Sequence, residues 1–336
     1  MTVGLETVVS YFPAAITPRS DFDYLAPITP NGMKGPDEMR RLHDKCAAEI
    51  MAERVAKRAL ESAGLTPPNI DLLVTQNIGG QYILPGLGTF LHAALDLPEK
   101  TPAWNLQTSC ASFVDGCELG RNMVLAGIYR RVLLVTVTAL NTGGWGVDQS
   151  TAFAAAAGDG AGAGIISDQN TKFEILSYSN RTLGEIYHEM KVDFCSTENP
   201  ELLVGRPESN VVAGLHVSES FFEWAQVHGG KTFARDAITD ALKEAHLTLA
   251  DLDLIIPHQA HKFMLDVWVE GMVEAGVPAN KWRDTWNKYG NVGAVDVAAT
   301  LSELLENEAI SKGAIIAFFA PGAGGHTPTM IVKYLG

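Results

Sequence analysis

The strongest constraint on the fold is that the chain contains part of itself twice. Ala59 to Gln76 (ALESAGLTPPNIDLLVTQ) aligns without a gap on Ala241 to His258 (ALKEAHLTLADLDLIIPH), with identities at Ala59/Ala241, Leu60/Leu242, Ala63/Ala245, Leu65/Leu247, Thr66/Thr248, Asp71/Asp253 and Leu72/Leu254. These copies lie 182 residues apart, and so do two further similar segments, IYRRVLLV from Ile128 and ISKGAIIA from Ile310. One spacing shared by separated segments implies duplication of a whole half. In each copy an amphipathic helix ends in a polar turn and runs into a short apolar strand, IDLLVTQ or LDLIIPH. LLVTVTAL from Leu133 and AIIAFFA from Ala314 read as strands buried on both faces, as in a helix-covered sheet. The expected fold is α/β, in two similar halves at 1–168 and 169–336 about a pseudo-dyad. Residues 184–230, which include SESFFEWAQV, have no counterpart in the first half and read as an inserted cap. Open α/β sheets bind ligands at the carboxyl ends of their strands, so the chemistry is expected where the two sets of strand ends meet.

Composition narrows the function. With 336 residues, 46% hydrophobic and 19% charged, the chain has enough apolar material for a large core. Its 25 Lys and Arg against 39 Asp and Glu leave a net charge of −14, which repels nucleic acid and anionic membrane, so neither is an expected partner. The four cysteines, Cys46, Cys110, Cys117 and Cys195, have no zinc spacing and are too few for a disulfide framework. No basic leader and no bilayer-length apolar run is visible, so the expected location is the cytoplasm.

Three residues stand where chemistry can be done. Cys110, in NLQTSCASFVDGCELG, precedes a predicted helix from about Ala111 to Ala126; free amides and the helix dipole there stabilise a thiolate, and small neighbours leave the sulfur reachable. A buried structural cysteine is the alternative for Cys110, and it is the preferred reading for Cys46, Cys117 and Cys195. His258 follows the strand LDLIIP directly, a rigid position for a general base or hydrogen-bond donor. Its neighbour His261 could share a helix face with it, but no third ligand is evident and no metal is expected. Asn291, in KYGNVGAVDVAATL, lies in a glycine turn opening another helix, where it also suits an N-cap. The 182-residue spacing maps Cys110 onto Val292, making Cys110 and Asn291 near-equivalents. GDGAGAG at 158–164 lacks the helix and acidic residue of a dinucleotide fingerprint and reads as close backbone packing; PGAGG at 321–325 could aim a backbone N–H at an oxyanion.

Taken together, SCASF, GDGAGAG, PHQAH, KYGNVGA and APGAGGHTPTMIVKY resemble the thiolase superfamily, and more closely its β-ketoacyl-acyl-carrier-protein synthase III (ketosynthase III) branch. The resemblance runs in order over nearly the whole chain. It implies a five-layered αβαβα fold from two duplicated halves, and an acyltransferase with no cofactor. Cys110 would carry an acyl group as a thioester, received from an acyl carrier protein or coenzyme A. His258 and Asn291 would hydrogen-bond the carbonyl of a malonyl-type thioester, and the N–H groups of Cys110 and Gly324 would form the oxyanion hole. A homodimer is also implied.

Departures from the family bear on the substrate. DYLAPITPNGMKGPDEM stands where a coenzyme A clamp of Trp and Arg-Thr-Gly is common, and Lys262 and Phe263 replace an Asn-Leu-Arg run after the His motif. His326 stands where relatives often have an aromatic residue beside the oxyanion glycines. Lys262, His261 and His326 are therefore candidate carrier or substrate contacts, and Arg130, Arg131, Lys281, Arg283 and Lys288 could add basic surface. NIGGQYILPGL, from Asn77 to Leu87, lacks the acidic base that relatives condensing without decarboxylation carry. The expected reaction is decarboxylative Claisen condensation in specialised polyketide or fatty-acyl metabolism. Two alternatives remain: acyl transfer from Cys110 to a hydroxyl or amine with His258 as base, and a non-catalytic partner subunit of a ketosynthase heterodimer.

Overall fold

The computed structural model describes residues 1–25, 35–44, 46–82, 84–142, 145–146, 155–193, 214–217, 224 and 228–336. Nine strands form the main sheet: β1 (Gly4–Tyr11), β2 (Leu72–Ile78), β3 (Ala103–Asn105), β4 (Arg131–Thr138), β5 (Gly160–Ser167), β6 (Phe173–Ser179), β7 (Leu254–Pro257), β8 (Ile315–Phe319) and β9 (Thr329–Tyr334). Among the described residues six helices of two or more turns pack on it: α1 (Ala47–Ala63), α2 (Leu87–Ala94), α3 (Ser112–Leu125), α4 (Lys231–Glu244), α5 (Lys262–Glu274) and α6 (Asp296–Glu306). Among the described residues no helix is long and apolar enough to cross a membrane.

The strand order, β7-β8-β9-β6-β1-β5-β4-β2-β3, is a pattern and its mirror image. From β1 outward the neighbours are β5 (antiparallel), β4 (antiparallel) and β2 (parallel); from β6 outward they are β9 (antiparallel), β8 (antiparallel) and β7 (parallel). The two half-sheets join only where Gly4 and Leu5 pair with Glu174 and Phe173. A Cβ on Gly4 would stand 1.8 Å from the Phe173 carbonyl oxygen, so this junction requires glycine.

Burial separates five layers. One outer face of the first half-sheet, with Leu73, Leu133 and Val135, packs on the small-residue face of α1 (Ala48, Ala52, Ala56). The corresponding face of the second, with Ile255, Ala317 and Phe319, packs on α4 and α5. Between the half-sheets lie α3 and α6, whose Phe113, Val114, Val297 and Leu301 share one core with Leu134 from one half and Ile256 and Phe318 from the other. This is an α/β fold of thiolase-like, five-layered αβαβα form, built from two duplicated halves. β5 runs through GDGAGAG because its neighbours come that close: a Cβ on Gly162 would lie 2.7 Å from Ala298 Cβ of the middle helix α6, and one on Gly164 2.9 Å from Leu5 Cδ2 of β1 and 3.5 Å from Phe113 Cζ of the middle helix α3. The motif is a packing surface.

The repeat extends to individual hydrogen bonds. Thr66 and Asn69 form a capping box before β2, as Thr248 and Asp251 do before β7. Asp71 accepts the Arg131 N–H at 3.0 Å, and Asp253 accepts the Ile315 N–H at 2.9 Å. These pairs also correct the single spacing read from sequence: Asp71 and Asp253 are 182 apart, but Arg131 and Ile315 are 184 apart. Two residues are gained between the strand and the central helix of the second half, which changes the equivalences at the site. Of the proposed cap, the described parts are a turn at Gly184–Ile186, a hairpin of Met190–Asp193 with Gly214–Val217, and Trp224 and 228–230; Cys195 and most of SESFFEWAQV lie outside the described residues.

Gly162→Val should destabilise the protein by about 1–3 kcal/mol through overpacking of β5 against α6, read as a lowered urea midpoint at unchanged slope; an unchanged midpoint would contradict this account of the motif.

Candidate active site

Cys110 lies in a one-turn 3-10 helix, Ser109–Ala111, that runs straight into α3. Ser109 holds a left-handed φ of 55°, a conformation disfavoured for a residue with a Cβ, and it turns the chain from β3 into the helix head. Ser112 secures the turn: its hydroxyl oxygen accepts the Thr108 N–H at 3.0 Å and donates to the Ser109 carbonyl at 2.8 Å. The sulfur is half-buried, with Ser109 Oγ 3.7 Å away. The PGAGG loop presses on this turn from the other half. A Cβ on Gly322 would come within 3.0 Å of the Ala111 nitrogen and 3.2 Å of the Cys110 nitrogen. Gly324 adopts φ 78°, and a Cβ added there would lie 3.8 Å from the His326 ring, so the glycine loop and the half-buried His326 flank the cysteine turn together.

His258 follows β7 and is locked in place by its backbone N–H, which donates to the Phe319 carbonyl at the end of β8 (2.7 Å). It is buried. Its Nδ1 lies 2.6 Å from Asp296 Oδ2, a carboxylate with no solvent exposure that also accepts the Gln259 N–H at 2.9 Å and, through Oδ1, the Val292 N–H at 3.1 Å. The imidazole also interacts with the Cys110 side chain, so a sulfur from the first half meets a histidine from the second. Burial pushes the Cys110 thiol up, but the adjacent imidazolium more than reverses this and leaves it below the ordinary thiol value. Burial likewise disfavours the charged His258, yet the Cys110 thiolate and the Asp296 carboxylate outweigh it and push its pKa up to about 10. The two shifts describe one ion pair.

Asn291 is buried on the same side. Its Nδ2 donates to the Ala260 carbonyl at 3.1 Å, two residues past His258, and its Oδ1 accepts the Gly293 N–H at 2.9 Å. Asn291 is not an N-cap, since Val292 precedes the 3-10 turn Gly293–Val295 and Val295 precedes α6; its Oδ1 instead closes the glycine turn and its Nδ2 ties that turn to the histidine loop. Asn291 is not the counterpart of Cys110. With the 184 spacing its equivalent is Gln107, which likewise accepts an N–H two residues on (Ser109) and donates to a carbonyl at a strand end (Asn77), and the equivalent of Cys110 is Ala294.

The remaining candidates separate. His261 does not share a helix face with His258: it is the N-cap of α5, with Nδ1 accepting the Phe263 N–H at 3.2 Å and the ring against Trp286, and burial pushes its pKa down. Lys262 opens α5, half-exposed and paired with Asp266 one turn on. Arg131 pairs with Glu6 at 2.7 Å and Lys288 with Glu303, while Arg130 and Arg131 stand at the amino end of β4, the opposite edge of the sheet from Cys110. Although Asn77 to Leu87 contains no acid, Glu49 of α1 reaches it and accepts the Gln81 N–H at 2.9 Å. Sequence reasoning missed Asp296, whose signal was an acid in the otherwise apolar GNVGAVDVAAT at a helix start, a place where acids are ordinary caps.

Residues 104–184 match the family model for 3-oxoacyl-[acyl-carrier-protein] synthase III and residues 242–334 that for its C-terminal part, together more than half of the chain. A curated relative, β-ketoacyl-[acyl-carrier-protein] synthase III of Fusobacterium nucleatum, is 24% identical over 340 residues, covering 99% of each chain. The enzyme of the same name from Caldanaerobacter subterraneus is 25% identical over 339 residues, 99% of this chain and 98% of its own. Among solved structures, 3-oxoacyl-[acyl-carrier-protein] synthase III from Aquifex aeolicus superposes with a TM-score of 0.83 at 20% identity, covering 99% of this chain and 100% of its own. Xanthomonas campestris OleA, solved with lauric acid and lauroyl-CoA, does so at 0.80 and 16% identity, covering 99% of each. The chain belongs to the thiolase superfamily. Within it, this is a ketosynthase III-like protein.

His258→Ala should raise the Cys110 thiol pKa and slow its alkylation by iodoacetamide at pH 7 by roughly tenfold or more, while Cys117, whose thiol burial pushes far up, stays unreactive in the folded protein; peptide mass mapping against pH reads both.

Proposed function

We propose that the protein is a condensing enzyme of the ketosynthase III type. Cys110 gives its proton to His258 and attacks an acyl thioester, becoming S-acylated while the carrier thiolate leaves and takes a proton from solvent, so that His258 keeps the thiol proton as a donor for the next step. A malonyl-type thioester then loses carbon dioxide, and the enolate carbon attacks the acyl-cysteine, expelling the sulfur. Donors from His258 and Asn291 stabilise the enolate oxygen, and the N–H groups of Cys110 and Gly324 the tetrahedral oxyanion. The observation that carries this reading is the contact of Cys110 with His258, brought from opposite halves to the heads of the two central helices beside Asn291. The presence of all three groups speaks against a non-catalytic partner subunit.

A second reading is favoured by one observation. The 2.6 Å bond between His258 Nδ1 and Asp296 suits a histidine acting as a base, as acyl transfer from Cys110 to a hydroxyl or amine requires. Carbon dioxide separates the two readings, since transfer releases none.

The acyl donor is a carrier-bound or coenzyme A thioester. The replaced clamp segment and the Lys262–Phe263 pair support a specialised polyketide or fatty-acyl substrate over a general one. Lys262, at the exposed head of α5, is the proposed carrier contact, with His261 behind it and His326 beside the glycine loop as substrate contacts. The halves divide at 1–168 and 169–336, with a cap at about 184–230. The half-exposed Trp104 on the edge strand β3 supports a homodimer formed along that edge.

Incubation with acyl thioesters should add the acyl mass to native protein and not to Cys110→Ala, and a malonyl thioester should then release carbon dioxide only from the acylated native enzyme; acylation that persists in Cys110→Ala would refute the nucleophile. Lys262→Glu should raise KM several-fold for a carrier-bound substrate and leave KM for a small thioester analogue unchanged; equal effects on both would remove Lys262 from the docking surface.

A further inference from the structure

From the buried contact of His258 with Asp296 we infer that Asp296 is a positioning residue, which fixes the proton of neutral His258 on Nδ1 and so makes Nε2 a base toward the Cys110 thiol. The inference rests on the proposed role of Cys110 as nucleophile and specifies how that nucleophile is charged.

Two backbone N–H groups donate to the Asp296 carboxylate, Gln259 to Oδ2 and Val292 to Oδ1, and the imidazole Nδ1 lies 2.6 Å from Oδ2. With both oxygens accepting from backbone amides, the ionised form is favoured by these bonds against the burial that pushes its pKa up. A carboxylate only accepts, so Nδ1 must carry the proton, and the imidazole nitrogen left for Cys110 has a lone pair. The thiol proton can then pass from Sγ to Nε2, leaving a thiolate beside an imidazolium whose new charge Asp296 offsets. In the condensation step the same histidine donates to an enolate only while it holds that proton; in acyl transfer it takes a proton from the acceptor once it has lost it. The groups that act on the imidazole are Cys110 from the turn before α3 and Asp296 from α6, with Ser109 contributing its hydroxyl to the sulfur; the Asp296 charge by itself pushes the Cys110 thiol up, a smaller effect than that of the imidazolium, so Asp296 lowers the thiol only through the charged His258 it stabilises.

The duplication supplies an internal control. Ser112 occupies the position of Asp296 in the first half and accepts the Thr108 N–H, as Asp296 accepts the Val292 N–H. A serine therefore suffices to cap this turn. Burying a charged carboxylate in its place carries a desolvation penalty that the serine avoids, and the added partner it gains is His258. Gln76, at the end of β2, stands where His258 stands at the end of β7, so the first half has neither member of the pair.

Asp296→Ser keeps the cap and removes the partner of His258, and Asp296→Asn keeps the shape without the charge. In both, the midpoint of Cys110 alkylation by iodoacetamide against pH should rise by about one unit or more toward the ordinary thiol value, and kcat should fall by roughly 10²–10⁴-fold with KM little changed. Acyl-Cys110 should still form at raised pH. Folded variants with the native midpoint would overturn the inference. Nitrogen-15 NMR of Cys110→Ala, which keeps Asp296 and removes the thiolate that holds the imidazole charged, reads the same point above the His258 pKa: Nδ1–H is expected for neutral His258, and an Nε2–H tautomer overturns the inference even if both Asp296 variants fail to fold. Absence of acyl-Cys110 in the native enzyme is a separate result, which sinks the nucleophile and not the tautomer.

Discussion

A helix covered by sheets on both sides can offer chemistry only at its ends, and α3 and α6 are covered in this way. Their flanks must be apolar and narrow, hence Phe113 and Val114 on one, Val297 and Leu301 on the other, and glycines in β5 where Ala298 and Leu5 approach. The amides at their amino ends are not used up within the helix, so polar side chains collect there to satisfy them. Ser112 and Asp296 do this at the two helix heads. Cys110 and Asn291 are carried on the same turns. The duplicated architecture thus brings two sets of unsatisfied amides toward each other, and the site occupies the space between.

Within that space the decisive balance is between desolvation and pairing. Burial alone would leave Cys110 a thiol, His258 neutral and Asp296 protonated. Each charge is tolerable because the next group compensates it: the thiolate by the imidazolium, the imidazolium by the carboxylate, and the carboxylate by two further backbone N–H groups. The arrangement is asymmetric even though the fold is symmetric. In the first half the equivalent positions are Gln76 and Ser112, neutral groups that carry no such chain, so duplication provided two equivalent scaffolds and divergence charged only one of them.

Much of this was legible in the chain itself. The repeat announced two halves, the helix after Cys110 begins at Ser112 against an expectation of Ala111, and His258 stands at the end of a strand as the pattern LDLIIP requires. Gapless alignment failed where it was extended past the strand, because two residues enter before the central helix of the second half. Asn291 then belongs with Gln107 and not near Cys110, a distinction that hydrogen-bond partners reveal and letters do not. Asp296 was hidden for a related reason: an acid in a first helical turn is so often a solvated cap that nothing local marks one whose second oxygen faces a histidine 38 residues earlier in the chain.

Sequence by itself determined the elements, their duplication and the local setting of Cys110, because helix heads, strand ends and apolar periodicity are properties of neighbouring residues. Only the tertiary structure decided which charges meet. The sulfur, the imidazole and the carboxylate come from three separate segments, and their protonation depends on distance and burial, which exist only once the half-sheets have closed over the central helices.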